Sequence, residues 1–467
     1  MKKILIILLC CCVVLAGLVY LYRPSSDTGP LTDEEILQTA EDAYEYALPL
    51  VLMDLTMKNA TNVTEISGAP VNQFFHVRST ASAADRMVVR PNVDTLYSMA
   101  YLNLKDEPLI LTKPETQTYC SVVILDAYTN CVAVLGTGGI DNGKASVYAL
   151  CGPDDHSSIP DGAVRISLPT DMAWIIVRTA YDGLELSQVY EIQNEFSLVP
   201  ESSYGDPGYV PPAGSYDPAY NYVPVQKLFS MDIESFFNDF NDLSIDNPGT
   251  NADQPALKNF AKIGVGAGLV FSLEGFSSDV QGKMGGIPAE YIAAIASGDI
   301  QSEMFSMEIN NWMYPDDNIA HFGTDYRLRA VVAITGLGAN PVEMAVYPSA
   351  SYDKDGDVLD GNNNYVIHFE KDMFPPCSAF WSITAYGQDM FLIDNPIDKY
   401  AVRYTDDFTY NPDGSVDIYL QNESPGSELT GNWLPVPKGE FSLSMRIYLP
   451  DASVLDFTWE PPYIVKA

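Results

Sequence analysis

The chain has 467 residues, with 25 Lys or Arg against 62 Asp or Glu, a formal net charge of −37. Nucleic acid is excluded as a partner because binding it needs a basic patch to displace counterions, and adsorption to an anionic lipid surface is disfavoured for the same reason. An apolar content of 47% argues against disorder and supports roughly two to four domains with real cores. Such an acidic surface keeps a protein soluble, and it leaves cations and neutral ligands such as sugars open.

Lys2 and Lys3 precede an apolar run from Ile4 to Tyr22. That run is long enough to cross about 30 Å of hydrocarbon as one helix. It exceeds the roughly 7–15-residue apolar region of a cleaved secretory signal. The expectation is a signal anchor, with residues 1–30 as membrane helix and tether. The positive-inside rule then puts the lysines in the cytoplasm and the bulk of the chain outside the cell membrane. Cleavage after Ala16 is the alternative. Cys10, Cys11 and Cys12 lie in this run, with no small residue directly before Cys10 to mark a lipoprotein site. Cys120, Cys131, Cys151 and Cys377 show no metal spacing. They are expected as buried free thiols, although an outward location permits a disulfide.

Thr32 and Glu35 fit a capping box, followed by Ile36, Leu37, Ala40, Ala43, Tyr44, Ala47 and Leu48 at helical spacing. Short strands are predicted at 88–89, 109–111, 121–125, 132–135 and 174–177, with a turn-rich loop over 136–143. Residues 31–198 thus read as an N-terminal β domain with a leading helix. Residues 199–229, dense in Pro, Gly, Ser and Tyr, read as a linker. Residues 230–340 read as a helical connecting region. In it Phe236, Phe237 and Phe240 share a face, Asn247–Pro248 makes a break, and a further helix covers 326–335. Gly264, Gly266 and Gly268 mark a turn or helix terminus, with no dinucleotide fingerprint around them. Over 341–467 strands return at 345–347, 365–369, 380–386, 416–420, 441–448 and 457–459. The fold class is mainly β with α insertions: tandem jelly-roll-like β-sandwich domains, a helical segment between them, and an N-terminal membrane helix. Residues 119–130 (YCSVVILDAYTN) and 379–389 (AFWSITAYGQD) echo each other. Two related β modules would explain this, and so would chance similarity of two strand–turn units.

Residues 72–130 contain NQFFHVRS, VVRPNVDTLYSMAYLNL and ILDAYTN. Residues 341–448 contain YPSASYDKDGDVLDGNNNYVIHF, FPPCSAFWSITAYG and GNWLPVPKGEFSLSMRIYLP. Together these blocks resemble the two-domain bacterial and archaeal proteins known as the domain-of-unknown-function pair 1254 and 1214, the first near 60–195 and the second near 340–450. The resemblance implies tandem jelly-roll-type domains with helical insertions and a tendency to oligomerise. It implies no settled activity, and fold alone supplies none.

PNVDTLYS carries Asn92, Asp94, Thr95, Tyr97 and Ser98. Asn92 and Asp94 either shape a turn through their own backbone or join Tyr97, Asp126 and Tyr128 in a polar cluster at one end of a jelly roll. Asp94 and Asp126 are the candidate carboxyl pair, since a glycosidase needs two about 5–10 Å apart. His76 and Arg78, two apart on one strand face, are candidates for general base and substrate orientation, or are simply hydrogen-bonded. The catalytic candidates are therefore Asp94, Asp126 and His76. The ligand-binding candidates are Arg78, Asn92, Asp94, Tyr97, Asp126, Trp381 and Tyr386. Trp381, Tyr386, Trp433 and Trp459 are read either as sugar-stacking aromatics or as core. Asp353, Asp355 and Asp357, followed by Asp360, resemble the start of a calcium loop, but Asn364 stands where a loop glutamate belongs. Calcium and a solvated acidic turn are the two readings, and no other cofactor is expected. Tyr204, Tyr209, Tyr216, Tyr220 and Tyr222 could pack onto a neighbouring subunit of a homo-oligomer. Three functions stay open: an envelope protein binding a carbohydrate or small polar ligand, a hydrolase using the carboxylate cluster, and a structural envelope protein.

Overall fold

The computed structural model describes residues 31–63, 68–86, 89–181 and 184–467. The expected membrane helix and Cys10–Cys12 lie outside the described residues. Among the described residues no helix is long and apolar enough to cross a membrane. Over the described residues the fold is mainly β, four sheets with several helices.

Helix α1 (Asp33–Ala60) starts at the expected capping box: Glu35 N–H donates to the Thr32 hydroxyl, and Thr32 N–H donates to the Glu35 carboxylate at 2.8 Å. Its middle, from Ala43 to Leu55, is buried nearly all round. Helices α2 (Leu186–Glu195), α3 (Ile233–Asp246), α4 (Ser278–Ser297) and α5 (Tyr326–Gly336) follow in the chain. Of these, α3, α4 and α5 pack against α1, with Tyr44 on Phe236 (ring centroids 4.4 Å) and Tyr46 on Tyr326 (4.9 Å).

The N-terminal module contains β1 (Phe75–His76), β2 (Thr95–Asn103), β3 (Leu109–Lys113), β4 (Cys120–Asp126), β5 (Cys131–Gly136), β6 (Ser146–Cys151), β7 (Val164–Ser167), β8 (Met172–Ala180) and β9 (Ser197–Pro200). They form a five-stranded sheet, β1-β2-β8-β4-β5, and a four-stranded sheet, β7-β6-β3-β9. Side chains alternate between faces along a strand. Ala100, Leu102, Val122, Ile124, Ile175 and Val177 therefore face Leu111, Tyr148 and Leu150 of the second sheet. Tyr101, Val123, Leu125, Trp174 and Ile176 face the helices instead. This double coverage is why β8 is buried at every position.

After β10 (Phe305–Ile309) and β11 (Trp312–Pro315), the C-terminal module adds β12 (Ala345–Val346), β13 (Ser349–Ala350), β14 (Tyr365–Phe369), β15 (Cys377–Gly387), β16 (Ala401–Arg403), β17 (Val416–Gln421), β18 (Trp433–Pro435), β19 (Phe441–Pro450) and β20 (Ile464–Lys466). One sheet runs β10-β11-β13-β19-β15-β16, with β12 also on β19; the other runs β18-β17-β14-β20. Ile367, Phe369, Trp381, Ile383, Ile418, Leu443, Met445 and Ile447 fill the space between them.

Several expectations need correction. The region 230–340 is not wholly helical: β10 and β11 form a hairpin that joins the C-terminal sheet through Met313 and Ser349. Its turn is Asn310–Asn311, both at positive φ (53° and 66°), the backbone that two-residue hairpin turns demand and Asn tolerates. Residues 457–459 form no strand, and Val89 lies in a bend, with Val88 outside the described residues. The 199–229 segment opens on β9 and ends in a short helix, Pro224–Phe229. Between them it is strapped down by Asn59 and Asn62, which donate to Tyr220 O and Asp217 O (2.9 Å each), and by Gln73, which donates to Pro212 O (2.8 Å). Cys120, Cys131, Cys151 and Cys377 are free thiols, Cys120 and Cys151 fully buried.

Candidate functional site

The PNVD segment, which leads into β2, lies against the C-terminal module. Asn92 Oδ1 accepts from Asp94 N–H (2.6 Å) and Thr95 N–H (3.3 Å), so it shapes the turn into β2. Its amide nitrogen, left free by that turn, donates to the hydroxyls of Tyr97 (3.2 Å) and Tyr448 (2.8 Å). Tyr386 donates to Pro91 O at 2.9 Å. Asp94, 3% exposed, accepts from Ser382 Oγ (2.6 Å) and from Arg403 Nε (3.1 Å). Arg403 also donates to Val93 O (2.8 Å) and the Tyr181 hydroxyl (3.1 Å). Asn92, Asp94, Tyr97 and Tyr386 therefore converge, but at the junction of the two modules rather than at one end of a jelly roll.

The face of the C-terminal sheet turned toward this junction is polar because the apolar alternation of β15, β19 and β16 is spent on their own core. Ser382 lies between Arg446 and Arg403, and Phe380 beside Tyr448. Arg446 donates to Thr384 Oγ1 (2.8 Å), to Arg90 O (3.2 Å) and to the Tyr386 hydroxyl. Arg90 donates to Ser349 Oγ (3.0 Å) and Ser442 Oγ (3.3 Å). From the other module Arg178 donates to Asn340 Oδ1 (2.6 Å) and Gly338 O (2.7 Å), with its guanidinium 5.3 Å from the Tyr97 ring centroid. Burial opposes the charge on Arg446, yet the Tyr386 and Asp94 oxygens outweigh it and hold its pKa above the ordinary arginine value. Burial also pushes the Tyr386 hydroxyl up, so it stays protonated as a donor.

A cleft of about 700 Å³ opens beside Arg403, with Thr80, Ser82, Val93 and Tyr181 on one wall and Asp398, Lys399, Tyr400, Asp406 and Asp407 on the other. Its cations are held in place: Lys399 pairs with Asp406 at 2.9 Å and donates to Thr430 O and Gly431 O, while Arg403 pairs with Asp94. Burial pulls the Lys399 ammonium down from the ordinary lysine value, against the pull of Asp406. A smaller hollow of about 290 Å³ lies beside Arg90 and Ser442.

The other candidates lie elsewhere. Asp126 is level with Ala173 and, across β8, with Leu102, seven residues along β2 from Thr95. At about 3.3 Å per residue that is roughly 23 Å from the Asp94 end. The expected Asp94–Asp126 carboxyl pair does not form. Asp126 instead closes its own turn, accepting from Tyr128 N–H (2.9 Å), Asn130 N–H (2.9 Å) and the Asn130 amide. Burial raises its pKa. His76 bonds Ser98 Oγ at 2.8 Å, on the face of β2 opposite Tyr97. Burial, then Arg78, pushes its pKa down to about 4. Arg78 is tied to α2 through Tyr190 O (3.2 Å) and Gln193 Oε1 (2.9 Å). Neither reaches Asp94. Trp381 is core, packed on Phe369, Phe374 and Phe408, and Trp433 and Trp459 are buried as well. Asp353 is 1% exposed, and its Oδ1 accepts from Asp355 N–H and Asp357 N–H (3.0 Å each), while the Asp355 and Asp357 side chains are exposed. Among the described residues no three His, Cys, Asp or Glu are grouped to hold a metal ion.

Sequence reasoning missed Arg90, Arg178, Arg403, Arg446, Ser382 and Tyr448. One signal was available: Arg178 in MAWIIVRTA and Arg446 in FSLSMRIYLP are single charges inside apolar strands. Arginine is seldom fully buried without a partner, so such a position points to a polar neighbour in space.

Residues 71–200 match the family model DUF1254, a protein of unknown function, and residues 344–452 match DUF1214, likewise a protein of unknown function. No curated protein matches the chain. Among solved structures the chain is similar to the VPA0106 protein from Vibrio parahaemolyticus, at 20% identity and a TM-score of 0.67, over 92% of this chain and 100% of that one. It also aligns with an uncharacterized protein from Burkholderia cenocepacia at 13% identity and a TM-score of 0.43, over 93% and 94% of the two chains. The first likeness shows a shared fold.

Proposed function

Since this chain belongs to the two-domain proteins that pair domains of unknown function 1254 and 1214, it inherits no activity, and we propose that it is a ligand-binding protein of the cell envelope. Its ligand is a carbohydrate or another small, neutral, polar molecule, held in the cleft between the modules. The apolar run from Ile4 to Tyr22 supports the envelope location by its length.

One observation carries the reading. The 700 Å³ cleft falls in the size range of small-molecule sites and combines the rings of Tyr181 and Tyr400 with fixed polar groups. Its cations are already matched by Asp94 and Asp406. A neutral polyol can exchange hydrogen bonds with the exposed Asp398 and Asp407 and stack on the tyrosines without unpairing a buried charge. Exposed Tyr204, Tyr216 and Tyr220 on the strapped segment offer a surface for a second copy of the chain.

The test is a thermal-shift titration of the full chain with mono- and oligosaccharides, backed by calorimetry. A ligand that binds only the folded state raises the melting temperature by mass action. A saturable rise that Tyr400→Ala weakens about two- to tenfold, the range of a lost stacking contact, is the expected result. A panel without any saturable shift, or binding indifferent to Tyr400→Ala, would sink this assignment.

A further inference from the structure

The junction holds a second polar cluster, deeper than the cleft, whose hydrogen-bond balance is one-sided. Ser121, Arg178 and Tyr97 are neighbours across β4, β8 and β2 on one sheet face. Tyr119 and Tyr347 each pack on Tyr448, with ring centroids 5.4 and 6.0 Å apart. Arg178, Ser121, Tyr119 and Tyr448 are 6%, 0%, 7% and 0% exposed.

Several protons of the cluster have no fixed acceptor. Among the described residues Arg178 Nε has no partner, and Tyr119 OH and Ser121 Oγ have none beyond each other. The hydroxyls of Tyr448 and Tyr347 already accept, from Asn92 Nδ2 (2.8 Å) and Asn340 Nδ2 (2.6 Å), so each has its own proton left to give. Neither amide can be turned round to relieve this. Asn92 Oδ1 is held by Asp94 N–H, and Asn340 Oδ1 by Arg178 Nη1. The charge is one-sided too. Arg178 and Arg446 bond only neutral oxygens, and the nearby carboxylate, Asp94, is paired with Arg403. A buried donor without an acceptor costs about 1–3 kcal/mol, and a buried charge persists when something of opposite sign or several dipoles answer it.

We propose that Arg178, Ser121 and the hydroxyls of Tyr119, Tyr347 and Tyr448 form a binding site for a small oxyanion, a carboxylate or phosphate. Such a group brings the negative charge this cluster lacks, on oxygens that only accept. Arg178 Nε supplies a charge-assisted bond, and the tyrosine and serine hydroxyls rotate to point their protons inward. The same chemistry is offered by a free inorganic ion and by the acidic group of a larger molecule.

The full chain is titrated with sodium phosphate, sodium acetate and sodium benzoate, each against sodium chloride at equal ionic strength, and melting temperature and calorimetric heat are recorded. The expected result is a saturable rise with at least one of the three over chloride. Tyr347→Phe and Ser121→Ala, which keep ring and backbone, should each raise the dissociation constant about tenfold, the worth of one hydrogen bond to an anion. Tyr400→Ala should leave this response intact, which separates the site from the sugar cleft. A response to phosphate or acetate assigns a free ion, and one confined to benzoate assigns the carboxylate of a larger molecule. Curves that superimpose on chloride, or a response unchanged in Tyr347→Phe, overturn the proposal.

Discussion

His76 illustrates how one side chain's surroundings set its chemistry. A histidine on a strand invites a role as general base, but here the ring is part-buried against Ser98 and Phe74, and burial followed by Arg78 lowers its pKa to about 4. The folded protein therefore keeps His76 neutral, whereas the unfolded chain protonates it near 6.5. Between those values the unfolded state binds more protons, so stability rises with pH there. The contribution is fully present above about 6.5 and drains away as pH falls toward about 4. Urea midpoints at pH 7 and pH 5 should differ less in His76→Gln than in the parent chain. Equal differences would mean that the imidazole is not held neutral. Asn92 makes the complementary point. Its turn-forming role and its place in a polar cluster look like alternatives in the sequence, yet its two amide atoms carry one each.

At the scale of elements, α1 is the part of the fold that local rules describe best. Thr32 and Glu35 close the capping box, and the apolar positions that follow at helical spacing are buried from Ala40 onward, with Ile36 and Leu37 half-buried. Thr32→Ala should lower the unfolding free energy by about 1 kcal/mol, measured by urea titration. Thr32→Asn should recover most of it. The strands of both modules were also legible where alternation was strong, as in 365–369, 416–420 and 441–448. The β10–β11 hairpin was not, because its Asn310–Asn311 turn sits inside a stretch whose flanks are helical. Nor was the short β18, which pairs in parallel with β17 and owes its conformation to that partner rather than to its own three residues.

The molecule as a whole is held together across its polar junction. Asp94 of one module is bound by Ser382 and Arg403 of the other, and Tyr119 packs edge-on against Phe380 and Tyr448. Separating the modules would bare a buried ion pair and these rings together. Trp174 reports on one module and Trp312, Trp381, Trp433 and Trp459 on the other. Tryptophan fluorescence and far-ultraviolet circular dichroism should follow one urea transition with a common midpoint. Two resolved transitions would show that the junction does not couple them.

By itself the sequence determined the acidic character, the alternation of β and α regions, the start of α1, and the pairing of the two matched segments, since all of these rest on composition or on residues close together in the chain. It also marked Asn92, Asp94 and Tyr97 as worth attention, through an unusual polar block beside a strand, and Tyr386 as an aromatic read either as a sugar platform or as core. Tertiary structure alone decided that Asp94 meets Arg403 and Ser382, that Asp126 stands at the far end of the sheet, and that Trp381 is core rather than a platform for sugars. The reason is physical. A strand's period says which residues share a face, but not which sheet that face will meet, and hydrogen-bond partners some 300 positions apart, such as Asp94 and Arg403, leave no local trace in the chain.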